Sequence, residues 1–325
     1  MRIACAIVAL AACGDRQSSD TDGGGDSPPA VSGWSMGADV ARGAIQETAA
    51  VAIAGKIYVL GGIDAARTTV RYVQIYDTAT NAWSDGPDLP RALHHANAVT
   101  DGTTIYVLGA LAPNFDAIGD AYSWNPATDA QWSTLMAMPA GRERGAAVAG
   151  VIDGKFYIAG GFRTLQASDL LDVYDPAANS WAPLAPLPAI RDHACGGAIN
   201  GAMIFAGGRT VQTNSPRPDV WSYNPAVDVW TPQAPMPTGR GGMGCGVIAG
   251  KLYTAGGEGN GADPSGVFPN VEAFDPAANA WSTLDPMANP KHGVGGAVWN
   301  GALYLCGGAS MEGFGAIAAT DIFRP

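Results

Sequence analysis

Charge is scarce in this chain, and positive charge scarcer still. Only 14% of its 325 residues are charged, and 18 Lys and Arg face 29 Asp and Glu, for a formal net charge of −11. A surface so short of cations is a poor match for nucleic acid or anionic lipid. No apolar run approaches the ~20 residues that a membrane-spanning helix needs. Histidine is limited to four residues and cysteine to five, and two of the cysteines, Cys5 and Cys13, fall in the first thirteen positions. The other three, Cys195, Cys245 and Cys306, are too few and too widely spaced for a disulfide framework and allow at most one bridge. Cys195 and Cys245 each precede a Gly-Gly pair by about one strand, which allows neighbouring inner strands. Buried free thiols are nonetheless their expected state. No P-loop, Gly-x-Ser-x-Gly, His-Glu-x-x-His or Cys-x-x-Cys occurs, so no residue is nominated as catalytic.

What the chain has in quantity is glycine (44) and proline (23), without a collagen-like period, the mark of many short strands and tight turns. These residues sit on a lattice. Trp34, Trp83, Trp132, Trp181, Trp230 and Trp281 are separated by 49, 49, 49, 49 and 51 positions. Gly61-Gly62, Gly109-Ala110, Gly160-Gly161, Gly207-Gly208, Gly256-Gly257 and Gly307-Gly308 keep the same beat. Such a period is the signature of a repeat architecture. Within the third repeat, GAAVAGVIDGKFYIAGG reads as two apolar strands joined at Asp153-Gly154, a strong hairpin signal. A variable loop follows, then LLDVYDPAANSW, two further strands around an Asp-Pro turn. Four strands per ~49 residues bury both faces only when packed against copies of themselves around an axis, as in a propeller.

The succession Gly-Lys-Phe-Tyr-Ile-Ala-Gly-Gly, Val-Tyr-Asp-Pro, Asn-Ser-Trp and Leu-Pro resembles the kelch motif, and it recurs from Trp34 to the C-terminus. The resemblance implies an all-β, six-bladed β-propeller with four antiparallel strands per blade. The second repeat departs from it, with Gly109-Ala110 for the Gly pair and Trp124-Asn125-Pro126 for the Tyr-Asp-Pro. Trp34 has no Gly pair before it, and Gly307-Gly308 is followed by no Trp. The two partial repeats complement each other, so the strand around Trp34 is expected to complete the last blade and leave no open sheet edge. Each Trp is expected in a fourth strand, filling the gap between blades.

The N-terminus reads differently. MRIACAIVALAAC has the order of a secretory signal, with one Arg, an apolar stretch and small residues before a cut. Leu10-Ala11-Ala12-Cys13-Gly14 resembles the bacterial lipobox, in which cleavage precedes a cysteine that then carries diacylglycerol. Residues 14–31 are almost free of apolar side chains and cannot offset their chain entropy by burial, as befits a tether. The expected organisation is a signal peptide at 1–12, lipidated Cys13 and a tether at 13–31, and the propeller at 32–325. The expectation is of a chain held to a bacterial envelope through its lipid.

In an antiparallel blade, the loop after the second strand and the link to the next blade share one face. That face collects the variable segments 63–72, 110–120, 162–171, 209–219, 258–270 and 309–320, where recognition usually resides. On it, Arg42, Arg91, Arg142, Arg191, Arg240 and Lys291 each follow a blade's Trp by 8 or 10 residues and lead into the inner strand. Two readings stand side by side. The six cations ring the channel mouth and take an acidic ligand, since guanidinium matches carboxylate, sulfate and phosphate; or each pairs with a nearby carboxylate and staples its blade. His95 (or His94), His193 and His292 fall at the start of inner strands in blades two, four and six, with Glu47 at the corresponding place in blade one. Three His around an axis suggest a metal, but alternate blades are expected to hold them too far apart for bonds of ~2.1 Å. No metal and no other cofactor is expected; the set of two His, two Tyr and a crosslinked Cys that holds copper in galactose oxidase cannot be assembled.

Two functions follow. The first is a binding module, monomeric and envelope-anchored, that presents its loop face to a protein or glycan partner. The alternative is an enzyme resembling the periplasmic kelch mutarotases that act on sialic acid. In that case the arginines hold the sugar carboxylate, and Glu47 or a channel His serves as acid or base.

Overall fold

A computed structural model describes residues 33–325, and the signal-like leader, Cys13 and the tether lie outside the described residues. Blade three shows the unit. Val148–Ile152, Lys155–Ala159, Leu171–Asp175 and Ser180–Leu184 pair antiparallel in chain order, with side chains alternating between the two faces. Asp153 (φ 51°) and Gly154 (φ 72°) form the first hairpin, both in the left-handed region that a two-residue turn of this type demands. Six such sheets are present. Their inner strands touch only in cyclic order, blade six returning to blade one, so the sheets close into the expected six-bladed propeller. No helix occurs among the described residues.

The ring closes as the partial repeats require. Gly33–Gly37 pairs with Thr320–Arg324, Trp34 opposite Phe323, and forms the outer strand of blade six. The first and last described segments thus share one sheet.

The apolar core is not one mass but six wedges, each between neighbouring blades. The tryptophans seal the outer rim of these wedges and are half-buried, less enclosed than their sequence pattern leads one to expect. Their main directional role is a hydrogen bond across the junction. Nε1 of Trp83, Trp132, Trp181, Trp230 and Trp281 donates to the carbonyls of Ala38, Pro87, Met136, Ala185 and Ala234 of the preceding blade, at 2.9–3.0 Å. Trp34 does the same to Asp285 at 3.3 Å, across the closing junction. Trp132 sits just ahead of the short fourth strand Ser133–Thr134 rather than within it.

The Gly pair has two causes. Gly61 and Gly62 have φ of +57° and +112°, and a Cβ on them would lie 2.4 Å from the Leu93 carbonyl oxygen and 2.7 Å from that of Gln46. Only glycine tolerates both the dihedral and the approach. In blade two Ala110 replaces the second glycine, and the chain does not turn there. The second strand runs on through Ile105–Leu111, and the third starts early at Ala117–Trp124, with an irregularity between Ile118 and Ala121. The expected variable loop 110–120 is therefore largely strand.

One expectation about cysteine is overturned. Cys195 is the first residue of the inner strand of blade four and Cys245 the second residue of that of blade five, and their sulfurs meet in a disulfide, with Cα atoms 6.0 Å apart. Adjacent inner strands around a narrow axis run close enough for the two sulfurs to meet, although the counterpart of Cys195 is Gly244, one residue before Cys245. Cys306 is a buried free thiol.

Candidate functional site

The six cations nominated from the sequence do not ring the channel. Arg42, Arg91, Arg142, Arg191, Arg240 and Lys291 pair with Asp85, Asp120, Asp172, Asp219, Glu272 and Asp321 respectively. Each partner lies in or beside the third or fourth strand of the same blade, so the side chains run outward from the axis. Arg144, which was not nominated, shares Asp172 at 2.7 Å. For the enclosed members the physical reason is burial: Arg240 and Lys291 are fully enclosed, and burial pulls both below their ordinary pKa against the opposing pull of Glu272 and Asp321. An enclosed cation without a carboxylate would be far costlier than the pair. The stapling reading describes this geometry.

The axis is built from a different position on the repeat. Glu47, His95, Ala146, His193, Gly242 and Gly293 are equivalent residues, one per blade, and all have φ between 52° and 66°. Their backbones form a closed circuit. Each N–H donates to the carbonyl of its counterpart in the preceding blade, Glu47 to Gly293 and so on round, at 2.5–3.1 Å. This hexagon of hydrogen bonds ties all six blades together at the constriction. His292 sits one residue ahead of the circuit, beside Gly293, and is the equivalent of His94 and Asp192 rather than of His95 and His193. Its grouping with the latter is corrected on that ground.

The expected separation of the histidines is overturned as well. The circuit is so narrow that the His95 and His193 rings, from blades two and four, lie 4.8 Å apart. His95 Nε2 is 2.9 Å from Glu47 Oε2, both nearly buried. One donor atom from each of Glu47, His95 and His193 falls within 4.8 Å of the others, the spacing of a group able to share a metal ion. His193 Nδ1 meets Asp192 Oδ1 at 2.5 Å, and Arg209 Nη2 approaches His193 Nε2 at 3.1 Å. Arg209 also binds Asp192 at 3.1 Å and pairs with Glu258. His292 donates from Nε2 to the Met311 carbonyl at 2.8 Å; its Nδ1, buried and without a hydrogen bond, faces Glu258 at 3.4 Å and Glu47 at 3.8 Å.

Burial raises the Glu47 carboxyl, but the charge and hydrogen bond of His95 outweigh it and hold the group well below the usual carboxylate range. Burial, then Arg209, lowers the His193 imidazole despite Asp192. His94, enclosed beside His95, is pushed down to about 3 and stays neutral.

On the loop face, a cavity of ≈210 Å³ opens over this floor. All six variable segments contribute to it. Ile63, Leu111, Phe115, Phe162 and Phe314 form apolar wall, and Glu47, His95, His193, Arg209 and Glu258 form the polar part. A second cavity of ≈190 Å³ continues on the far side of the circuit between the Ala- and Gly-rich inner strands, and Glu47, His95 and His193 line both. Arg209 and the aromatic wall escape a reading of the sequence, although a signal exists. The residue after each Gly pair, in order Ile63, Leu111, Phe162, Arg209, Glu258 and Ala309, is one repeat position that pairs with the residue just ahead of the circuit. It is constant in place and variable in chemistry.

Residues 47–236 match the family model described as the KLHDC2/KLHL20/DRC7 Kelch-repeats domain. The chain belongs to the kelch-repeat family. A kelch motif model also matches residues 239–288. This kelch propeller is 32% identical over 296 residues to Kelch-like protein terF of Aspergillus terreus, covering 86% of this chain and 64% of that protein. It is 27% identical over 252 residues to human Kelch-like protein 23, covering 74% of this chain and 41% of that one. The chain thus spans less than two thirds of these curated relatives. The solved structure of YjhT superposes with a TM-score of 0.72 at 17% identity, over 85% of this chain and 94% of that chain, a likeness of fold.

Proposed function

We propose that this kelch propeller is a binding module that takes a group of a protein or glycan partner into the axial cavity of its loop face. One observation carries the reading: all six variable loops converge on a single concave site with an apolar wall and a polar floor, the usual composition of a ligand pocket. The aromatic wall suits an apolar side chain or the apolar face of a sugar ring. The charge of Arg209 is already matched by Asp192 and Glu258, so a neutral or basic head group fits the floor better than an acidic one. Envelope anchoring through Cys13 belongs to the same proposal. A disulfide between blades four and five supports it, because such bonds persist in oxidising compartments.

The test is thermal shift against panels of neutral, acidic and basic sugars and peptides, where a ligand at 100 times its Kd adds ~2.7 kcal/mol of apparent stability. Phe162→Ala is expected to weaken the hit at least tenfold. Binding untouched by Phe162→Ala and Arg209→Ala together would place recognition elsewhere. For the anchor, mass spectrometry of the mature N-terminus is expected to find a diacylated Cys13, and Cys13→Ser to release the protein from membranes.

A second reading, sugar isomerisation, is favoured by the Glu47–His95 and Asp192–His193 pairs, which set acid and base groups on the cavity floor. Faster exchange between sugar anomers by NMR, lost in His193→Gln, would select it over binding alone.

A further inference from the structure

Three of the six positions in the axial circuit carry side chains able to ligate a cation, at a left-handed dihedral. Blades five and six use Gly242 and Gly293 there, and blade three uses Ala146. Glu47, His95 and His193 hold the same left-handed dihedral despite the steric penalty on a residue with a Cβ. Ala146 holds that dihedral too, so what sets the other three apart is their chemistry. The three are a chemical set, one carboxylate and two imidazoles, with one donor atom from each of blades one, two and four within 4.8 Å of the others.

We propose that Glu47, His95 and His193 form a binding site for a divalent first-row transition metal at the propeller axis. Two His and one carboxylate on one face of the ion, with its other positions open, is a recurrent arrangement for Zn²⁺ and Fe²⁺. Here these three residues line the cavities on both sides of the circuit, which leave room for the open positions. The supporting shell is in place. Asp192 accepts from His193 Nδ1, which leaves Nε2 as the free lone pair, the tautomer that a ligating imidazole needs. His95 Nδ1 meets His94 Nδ1 at 2.5 Å, leaving its Nε2 directed at Glu47. The Glu47–His95 separation of 2.9 Å already matches neighbouring ligands of one ion. Bringing in His193 takes side-chain shifts of roughly 1 Å to reach bonds of ~2.0–2.2 Å.

A second observation points the same way. His292 Nδ1 is buried and without a hydrogen bond, and it faces the carboxylates of Glu47 and Glu258. Two carboxylates and an imidazole nitrogen thus converge in one enclosed space, a demand for positive charge that a metal ion at the axis helps to meet. Arg209 meets part of that demand from the other side, and on metal binding its Nη2 no longer donates to His193 Nε2 while its pairs with Asp192 and Glu258 keep it in place. The hydrogen-bonded circuit fixes the three ligand backbones, as a precise site requires.

This inference goes beyond the binding reading and does not depend on it, since its readout is the metal itself and not a captured partner. The full chain, stripped with chelator, is titrated with Zn²⁺ by calorimetry and with Co²⁺ by visible absorption. One equivalent of either ion is expected, with Co²⁺ giving ligand-field bands of imidazole coordination. Glu47→Gln, His95→Gln and His193→Gln are each expected to weaken binding roughly 100-fold or more, losses larger than outer-shell changes produce. Lys251→Ala, on the far surface, leaves it unchanged. Circular dichroism and melting identify any variant that fails to fold, and the remaining ones carry the test. Substoichiometric binding by the wild-type chain, or equal affinity in the folded ligand variants, would overturn the site.

Discussion

A buried ion pair and an exposed one look alike on paper and differ in consequence. Arg240 and Glu272 are both enclosed, whereas Arg42 and Asp85 are about half exposed. Removing one partner of an enclosed pair strands the other, so Arg240→Ala is expected to cost about 3–5 kcal/mol. Arg42→Ala is expected to cost at most about 1 kcal/mol. Denaturant unfolding of the two variants measures the contrast, and equal losses would contradict the stapling geometry. The tyrosines of the blades set the alkaline limit. Burial, then the Asp120 charge, raises the Tyr122 phenol to about 12, and burial with Asp101 does the same for Tyr106. In the unfolded chain these groups lose their protons near the ordinary value of 10, while the folded chain keeps them. Their stabilising contribution is therefore complete below pH 10 and disappears as the pH rises through 10 to 12. Melting temperatures across that interval should fall, and fall less steeply in Tyr122→Phe.

At the scale of the element, each blade is a sheet whose neighbours supply half of its environment. The junction between blades four and five has a covalent bond in addition to its apolar wedge. It closes a loop of 50 residues, and a disulfide of that span contributes about 2–4 kcal/mol by restricting the unfolded chain. Cys195→Ala is expected to lower stability by that amount and to free the Cys245 thiol. Thiol counting on the denatured, unreduced protein supplies the check: both thiols titrating in wild type would remove the bridge. The second blade shows how local chemistry reshapes an element without disturbing the ring. Ala110 cannot adopt the dihedral of its glycine counterparts, so the hairpin lengthens and the loop shortens to a tip that carries Phe115 over the site.

For the whole molecule, closure is the organising constraint. The circuit of six backbone hydrogen bonds and the six indole contacts each need every blade, and the last blade needs the strand Gly33–Gly37. Deleting residues 33–42 removes one outer strand, the Trp34 bond to Asp285 and the cover of one wedge. The expected result is loss of a single cooperative unfolding transition, seen by calorimetry. A truncated chain that melts as sharply and as high as wild type would show that closure contributes little.

Periodicity alone determined the architecture. Trp, Gly-Gly and Asp-Pro recur because each blade solves the same packing problem, and the unmatched Trp34 and Gly307-Gly308 showed how the ends meet. The functional face was legible for the same reason, since alternating connections put all variable loops on one side. Which side chains meet at the axis was settled only in three dimensions. Arg144, Arg191, Arg240 and Lys291 share a buried repeat position two residues ahead of the circuit, whereas Arg42, Arg91 and Arg142 stand four or five residues ahead of it; in both groups the pairing carboxylate lay outward in the same blade. Glu47, His95 and His193 stand 48 and 98 residues apart in the chain, and their proximity arises from the radius at which six inner strands can exchange backbone hydrogen bonds. A repeat pattern encodes the angle of each blade around the axis; the distance from the axis, and with it the chemistry of the site, is decided by how tightly the closed ring packs.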